Sequence, residues 1–235
     1  MFAYDPAIID RFPATRGGLI HATGVSNGPS SPDLLDAYRA QQAATAERLR
    51  ETPIAEWPSI AAWRRVFAGF GAKPTQYRNA AESLLRRLDK QGDIPSIATL
   101  VDLGNLVAIR YGLPVAVFDL ARVTLPITVR FAAGDETFAD LGSSESVRPE
   151  AGEVVFIDAA GAVHARRWCW RQSANSAARP DTTEVLITVE GHHDRAAVAI
   201  DAALADLTVL LREYFPTATA VPTTLSATRP SASSD

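Results

Sequence analysis

The chain has 235 residues, enough for one large domain or two small ones, and its 47% hydrophobic and 21% charged content is that of a soluble globular protein with a real core. A formal net charge of −4 argues against a general nucleic-acid coat, and no DNA partner is expected. One cysteine, Cys169, excludes an intrachain disulfide and fits a reducing, cytoplasmic setting. The start lacks the basic and apolar regions of a signal peptide, and no stretch approaches ~20 apolar residues, so no membrane partner is expected. Of 23 basic residues only Lys73 and Lys90 are lysine. Genomic bias explains that choice, and so does a need for guanidinium forks toward phosphate or carboxylate.

Phe2 to Phe12 reads as a strand or an irregular lead-in, and Leu19 to Ala22 continues an extended pattern. Ser31 is a natural N-cap before Pro32, and a helix is expected from Pro32 to about Arg50. Ile60 to Phe70 and Thr75 to Gln91 carry helical apolar spacing, as does Ile97 to Tyr111 with Asn105 inside it. Val115 to Asp119 and Ile127 to Ala132 are β-rich. A hairpin follows, its first arm Val154 to Asp158 and its second from Val163 onward, and then a strand from Thr183 to Val189. Asp194 to Tyr214 is an amphipathic helix. After Pro216 the chain turns to Thr, Ser, Ala and Pro, and residues 217–235 are expected to be a disordered tail. Helices first, strands in the middle and a closing helix predict an α+β fold, a mostly antiparallel or mixed sheet flanked by helices. Residues 1–59 form an N-terminal segment packed on a core domain of residues 60–216.

There is no phosphate loop, no dinucleotide fingerprint and no Gly-x-Ser-x-Gly elbow. His192-His193-Asp194 reads as a solvated turn, with metal ligation the alternative. The second hairpin arm is unusual: Arg166-Arg167-Trp168-Cys169-Trp170-Arg171-Gln172-Ser173. On a regular strand Arg166, Trp168 and Trp170 share one face, and Arg167, Cys169 and Arg171 the other. Buried unpaired charge is expensive, so these arginines must line a cleft or pair with acids. Cys169 between arginines is either an activated thiol or a small packing residue. Arg78, Glu82 and Arg86 are spaced four apart and read as a solvated ion-paired face, with a phosphate-facing surface as the alternative.

Three runs then carry a family resemblance. Arg87-Leu88-x-x-x-Gly92-x-Ile94-Pro95, Val101-Asp102-x-x-Asn105 and Leu113-Pro114-x-x-x-Phe118-Asp119 resemble the B3/B4 editing domain of the phenylalanyl-tRNA synthetase β-subunit. Gly134-Asp135-Glu136, the hairpin and Thr183 to Ile187 continue the match across roughly residues 60–190. Trp63, Pro74-x-x-x-Arg78, Glu82 and Arg166-Arg167-Trp168-x-x-Arg171-x-Ser173 are similar to stand-alone members, where the domain occurs without the synthetase. The resemblance implies hydrolysis of a mischarged aminoacyl ester in a pocket between the two halves of the domain. A positioned water attacks, with no nucleophilic Ser or Cys. Three departures separate this chain from the synthetase: the family's histidine falls on Ala116, its tyrosine-reading glutamate falls near Thr188, with Glu190 two residues on, and its small, Gly-rich segment is replaced by Arg166 to Ser173. Tyrosine selectivity therefore does not carry over.

The expected function is that of a free-standing, trans-acting aminoacyl-tRNA deacylase, free of metal and cofactor. The alternative is a non-catalytic RNA- or aminoacyl-tRNA-binding module. The partner is the aminoacylated 3′ end of a tRNA. Asn105 and Ser173 are expected to position water or ester, and Glu190 to meet the substrate ammonium. Arg87, Arg166, Arg167 and Arg171 are expected to hold phosphates, and Trp170 to stack on the terminal adenine. Arg167 and Arg171 are the nearer pair if strand alternation is regular.

Overall fold

A computed structural model describes residues 1–141 and 146–233. The architecture is α+β, as the element order implies. The long strand β10 (Glu184–Gly191) lies at the heart of a four-stranded antiparallel sheet. It is flanked by β2 (Arg16–Thr23) and β3 (Val115–Asp119), and β11 (Thr219–Ser226) pairs with the far edge of β2. β10 is buried on both faces, and alternation divides its labour. Val185, Ile187 and Val189 pack among the helices α2 (Pro32–Glu51), α4 (Ala80–Gln91), α5 (Thr99–Tyr111) and α6 (Ala196–Tyr214). Leu186 faces the other way, into the core beneath a second sheet; Thr188 and Glu190 share its parity.

The second sheet is six-stranded and mixed, in the order β12 (Ser231–Ala232), β1 (Phe2–Tyr4), β4 (Ile127–Phe131), β7 (Val154–Ile157), β8 (Val163–Arg166) and β9 (Arg171–Gln172). β1 and β4 run parallel, and the other pairs are antiparallel. A small separate pair, β5 (Phe138–Ala139) and β6 (Ser146–Val147), completes the strands. Between the two large sheets lies an aromatic core of Phe2, Tyr4, Phe118, Phe156 and Trp168. Its end is closed by Trp63 and Phe67 of α3 (Pro58–Gly69). No helix among the described residues is long and apolar enough to cross a membrane.

Four expectations need correction. Phe2 to Phe12 is not one extended lead-in: Asp5 accepts from the Ala7 amide and Pro6 opens a short helix, α1 (Pro6–Arg11). Residues 1–59 do more than pack on residues 60–216, because they supply β1 and β2, interior strands of the two large sheets. The helix expected from Thr75 begins at Ala80, where the Asn79 carboxamide caps the Glu82 amide at 2.9 Å. Most consequentially, residues 217–233 are not disordered; Ser234 and Asp235 lie outside the described residues.

The misread tail is an edge strand. Thr and Val suit an extended backbone, and Pro222 is tolerated because one side of an edge strand faces solvent. Leu225 anchors it at 2% exposure. Deleting residues 216–235 should therefore lower stability by roughly 3 kcal/mol, about 10 °C in melting temperature. An unchanged melting curve would mean that β11 contributes nothing to the fold.

Candidate active site

Where the second hairpin arm was expected to run on as a strand, β8 stops at Arg166. Arg167 and Trp168 both take left-handed backbone angles, with φ 42° and 62°. Two successive positive φ values reverse the chain tightly, normally with Asn or Gly. Here an arginine and a tryptophan do it, at a cost of order 1–3 kcal/mol each, and such strain persists only where the surroundings over-determine it. Regular alternation is thereby broken, and Arg166 pairs across the turn with Arg171.

Burial and charge hold the turn. Arg166 and Arg167 are 9% and 6% exposed and converge on Glu153, itself 5% exposed. Arg166 reaches both Glu153 oxygens, at 2.8 and 2.7 Å, and Arg167 Nε lies 3.3 Å from Oε1. Arg167 also contacts Glu150 at 3.1 Å and lies over the Tyr77 ring at 3.9 Å. Trp168 is fully buried and meets Trp63, Phe12 and His192 edge-on. Two of the four arginines expected to bind phosphate are thus spent on internal carboxylates.

The turn presses Trp168 and Cys169 against a small cavity of about 70 Å³ between the sheets. Its walls come from Ala80 at the start of α4, Val115 and Ala116 of β3, Phe156 of β7, Ala165 of β8, and Thr188 and Glu190 of β10. Arg171 and Gln172 line it as well. Ala116 and Thr188 sit directly opposite each other in the β3–β10 register.

Glu190 dominates this space chemically. It is 3% exposed and has no cationic partner among the described residues. The Tyr4 hydroxyl and the Trp168 indole N–H both donate to its Oε1, at 2.7 and 3.0 Å. Oε2 takes no hydrogen bond among the described residues, so one oxygen is fixed and the other is free toward the cavity. Burial pushes the Glu190 carboxyl up to about 7, against a partial offset from the Trp168 and Tyr4 bonds. Cys169 answers the question its arginine neighbours raised. Burial, reinforced by Glu190, pushes the thiol well above its ordinary value, so it is a packing residue and not an activated nucleophile.

The rim is basic and aromatic. Arg171 is half exposed, paired with Asp140 and stacked on Trp170 at 4.6 Å. Trp170 meets Tyr77 edge-on at 5.0 Å. Beside them lies a cluster that sequence spacing misjudged: Glu82 is fully buried, not solvated, and carries Arg64, Arg86 and, at 3.8 Å, Arg78. Three guanidiniums on one carboxylate leave a surplus of positive charge on this surface.

Three expected site residues stand apart from the cavity. Ser173 is buried, but its hydroxyl donates to the Ala139 carbonyl and accepts from the Asn175 amide, which is a turn-holding role. Arg87 is exposed on α4, about two turns beyond Ala80. Asn105 is half-buried on α5, not fully buried, and its carboxamide makes at most a weak contact with the Tyr38 hydroxyl, short of a well-formed hydrogen bond. It sits near the Tyr38 hydroxyl, whose proton is held mainly by burial and by the charge of Asp102. Asn105→Leu is accordingly expected to shift stability by about 1 kcal/mol or less in urea denaturation; a loss of several kcal/mol would show a bond that the geometry does not.

His192 and His193 do not form a solvated pair. His192 is 7% exposed, wedged 4.4 Å from the Trp63 ring centre, and burial lowers it to about 3. Among the described residues no group of three or more His, Cys, Asp or Glu gathers as metal ligands do. A larger groove of about 700 Å³ runs past Arg48, Trp57, Arg65 and Arg195, but it is open to solvent and contains no buried carboxylate. The smaller cavity is the better candidate, because of the two it is the one lined by a buried carboxylate with an unused oxygen.

The family model of the B3/4 domain matches residues 62–209. This chain belongs to the B3/4 domain family. The cavity lies inside the matched span, apart from the Tyr4 that holds Glu190 from β1. Over 70 residues the chain is 37% identical to the phenylalanine–tRNA ligase β-subunit of Shewanella oneidensis, an alignment covering 30% of this chain and 9% of that protein. An N-terminal fragment of the phenylalanyl-tRNA synthetase β-subunit from Pyrococcus horikoshii matches structurally with TM-score 0.47 and 13% identity, covering 95% of this chain and 54% of that one.

Proposed function

We propose that this B3/4 domain protein acts in the cytoplasm as a trans-acting aminoacyl-tRNA deacylase, with the cavity at Glu190 as its aminoacyl site. The relation to phenylalanine–tRNA ligase β-subunits supports a tRNA-related role. The observation that carries the reading is the buried carboxylate with one oxygen pinned by Tyr4 and Trp168 and the other free. An ammonium is a natural partner for it, and a desolvated ion pair is far stronger than one in water.

On this reading Glu190 binds the substrate's α-ammonium and so places the ester carbonyl at the cavity mouth. Arg171 and the surplus charge around Glu82 receive the terminal phosphates, and Trp170 offers a ring face to the terminal adenine. Water adds to the ester carbonyl carbon and the bond to the ribose oxygen breaks. The water's proton ends on that oxygen, giving free amino acid and uncharged tRNA. The chain supplies position and electrostatics, which suffice for an already reactive ester.

Incubation of the protein with bulk charged tRNA tests this. The wild type should release amino acid well above the spontaneous rate. Arg171→Ala should raise KM about tenfold, as expected for loss of one charge-assisted contact. Binding of charged tRNA without accelerated release would instead identify a non-catalytic binding module.

A further inference from the structure

We infer that an arginine track, running from the cavity rim over α3 and into the larger groove, receives the phosphate backbone of the tRNA beyond its 3′ end. The inference rests on the tRNA reading above and adds the surface that takes the body of that partner.

Continuity is the first ground. Arg171 stacks on Trp170, which meets Tyr77, the chain neighbour of Arg78. Arg78 shares Glu82 with Arg86 and Arg64. Arg65 follows Arg64 on α3, about 100° further round the helix. There it lines the groove together with Arg48 and Arg195. The groove also lies close to the aminoacyl site, because His193 lines it and Glu190 lines the cavity. The three residues between those positions span at most about 11 Å, roughly three steps of ~3.4 Å along a nucleic-acid strand.

Charge is the second ground. Along the track seven guanidiniums meet four carboxylates, Glu51, Glu82, Asp140 and Asp194, whereas the whole chain is acidic at −4. Arg65 and Arg195 are exposed and have no carboxylate within ion-pair distance among the described residues. Arg48 lies over the Trp57 ring at 4.2 Å and donates to the Arg110 carbonyl, so it also keeps clear of a carboxylate. Guanidinium forks left over in this way match phosphate oxygens.

The third ground is an unused helix start. No side chain caps α3, so amides of its first turn are open to an anion. Ser59, the second residue of α3, lines the groove at 4% exposure, and its hydroxyl makes no hydrogen bond among the described residues. A desolvated hydroxyl without a partner is costly, and a phosphate oxygen supplies the partner.

The test measures binding of uncharged tRNA to the full chain by fluorescence anisotropy across a salt series. The double variant Arg65→Ala, Arg195→Ala removes two exposed, unpaired side chains, so its melting curve should match wild type. It should bind tRNA at least tenfold more weakly. Its slope of log K against log salt should be shallower by about 2, one for each lost phosphate contact. If the double variant melts early, Arg65→Gln and Arg195→Gln carry the same test singly, each slope shallower by about 1. Hydrolysis of a 3′-aminoacyl adenosine, which has no backbone to lay on the track, should be unchanged. Wild-type affinity and slope in the folded variants overturn the inference, as does a wild type that binds no tRNA. Weakened tRNA binding in the variants, with no hydrolysis by any of the proteins, sustains the track and removes the deacylase. Hydrolysis of charged tRNA with the same KM in wild type and variants sustains the deacylase and removes the track.

Discussion

Replacing Glu153 with alanine is expected to cost about 3–5 kcal/mol of stability, because it leaves the Arg166 and Arg167 guanidiniums buried without a counter-charge. Arg166→Ala should cost less, about 1–3 kcal/mol, because Arg167 still meets Glu153. Arg171→Ala, whose side chain is 48% exposed, should cost at most about 1 kcal/mol. Urea denaturation of the three variants checks this ordering. The contrast matters for function, since loss of activity in Arg166→Ala would report the collapse of the turn and not a missing phosphate contact. An Arg166→Ala protein of normal stability that failed to bind charged tRNA would reverse the assignment.

The second large effect concerns pH. In the folded chain Glu190 releases its proton near 7, against an ordinary 4.5. Between those values the folded state keeps a proton that the unfolded chain has lost, so raising pH through this window lowers stability. By pH 8 the buried charge costs roughly 3 kcal/mol. Glu190→Gln keeps an oxygen for Tyr4 and Trp168 and removes the charge. The variant should match wild type near pH 4 and exceed it by about 3 kcal/mol at pH 8. His192 works in the opposite sense, since burial lowers it to about 3 and stability is lost as pH falls below 6.5. That contribution is common to both proteins and cancels in their difference. Parallel stability profiles for the two proteins would show that Glu190 is not desolvated.

Much of the frame was legible because it rests on local chemistry. Ser31-Pro32 capped α2 where expected, and the β-rich run from Thr183 to Val189 marked the strand that is β10. Glu190 could be placed two residues beyond Thr188 and on the same face. The turn was not legible, because Arg167 and Trp168 carry none of the small-residue signal of a left-handed reversal. Their conformation comes from Glu153 and the aromatic wall, partners distant in the chain. Asn105 misled because apolar spacing around it implies burial, while its own position on α5 turns partly to solvent. The tail misled in the opposite way: its composition resembles a disordered segment, and only pairing with β2 orders it. Asp5-Pro6 is a local helix start, but the β-rich Phe2-Ala3-Tyr4 before it masks the signal.

The most direct test is the pH dependence of aminoacyl-ester hydrolysis by wild type and by Glu190→Gln, each corrected for spontaneous release. If ionised Glu190 binds the substrate ammonium, wild-type kcat/KM should rise through an apparent pKa near 7 and fall near 8 as the ammonium deprotonates. Glu190→Gln should lose the rising limb and about a hundredfold in rate, the loss expected when one charged hydrogen bond at a desolvated site is removed. Equal rates in the two proteins, with no limb near 7, would contradict the account.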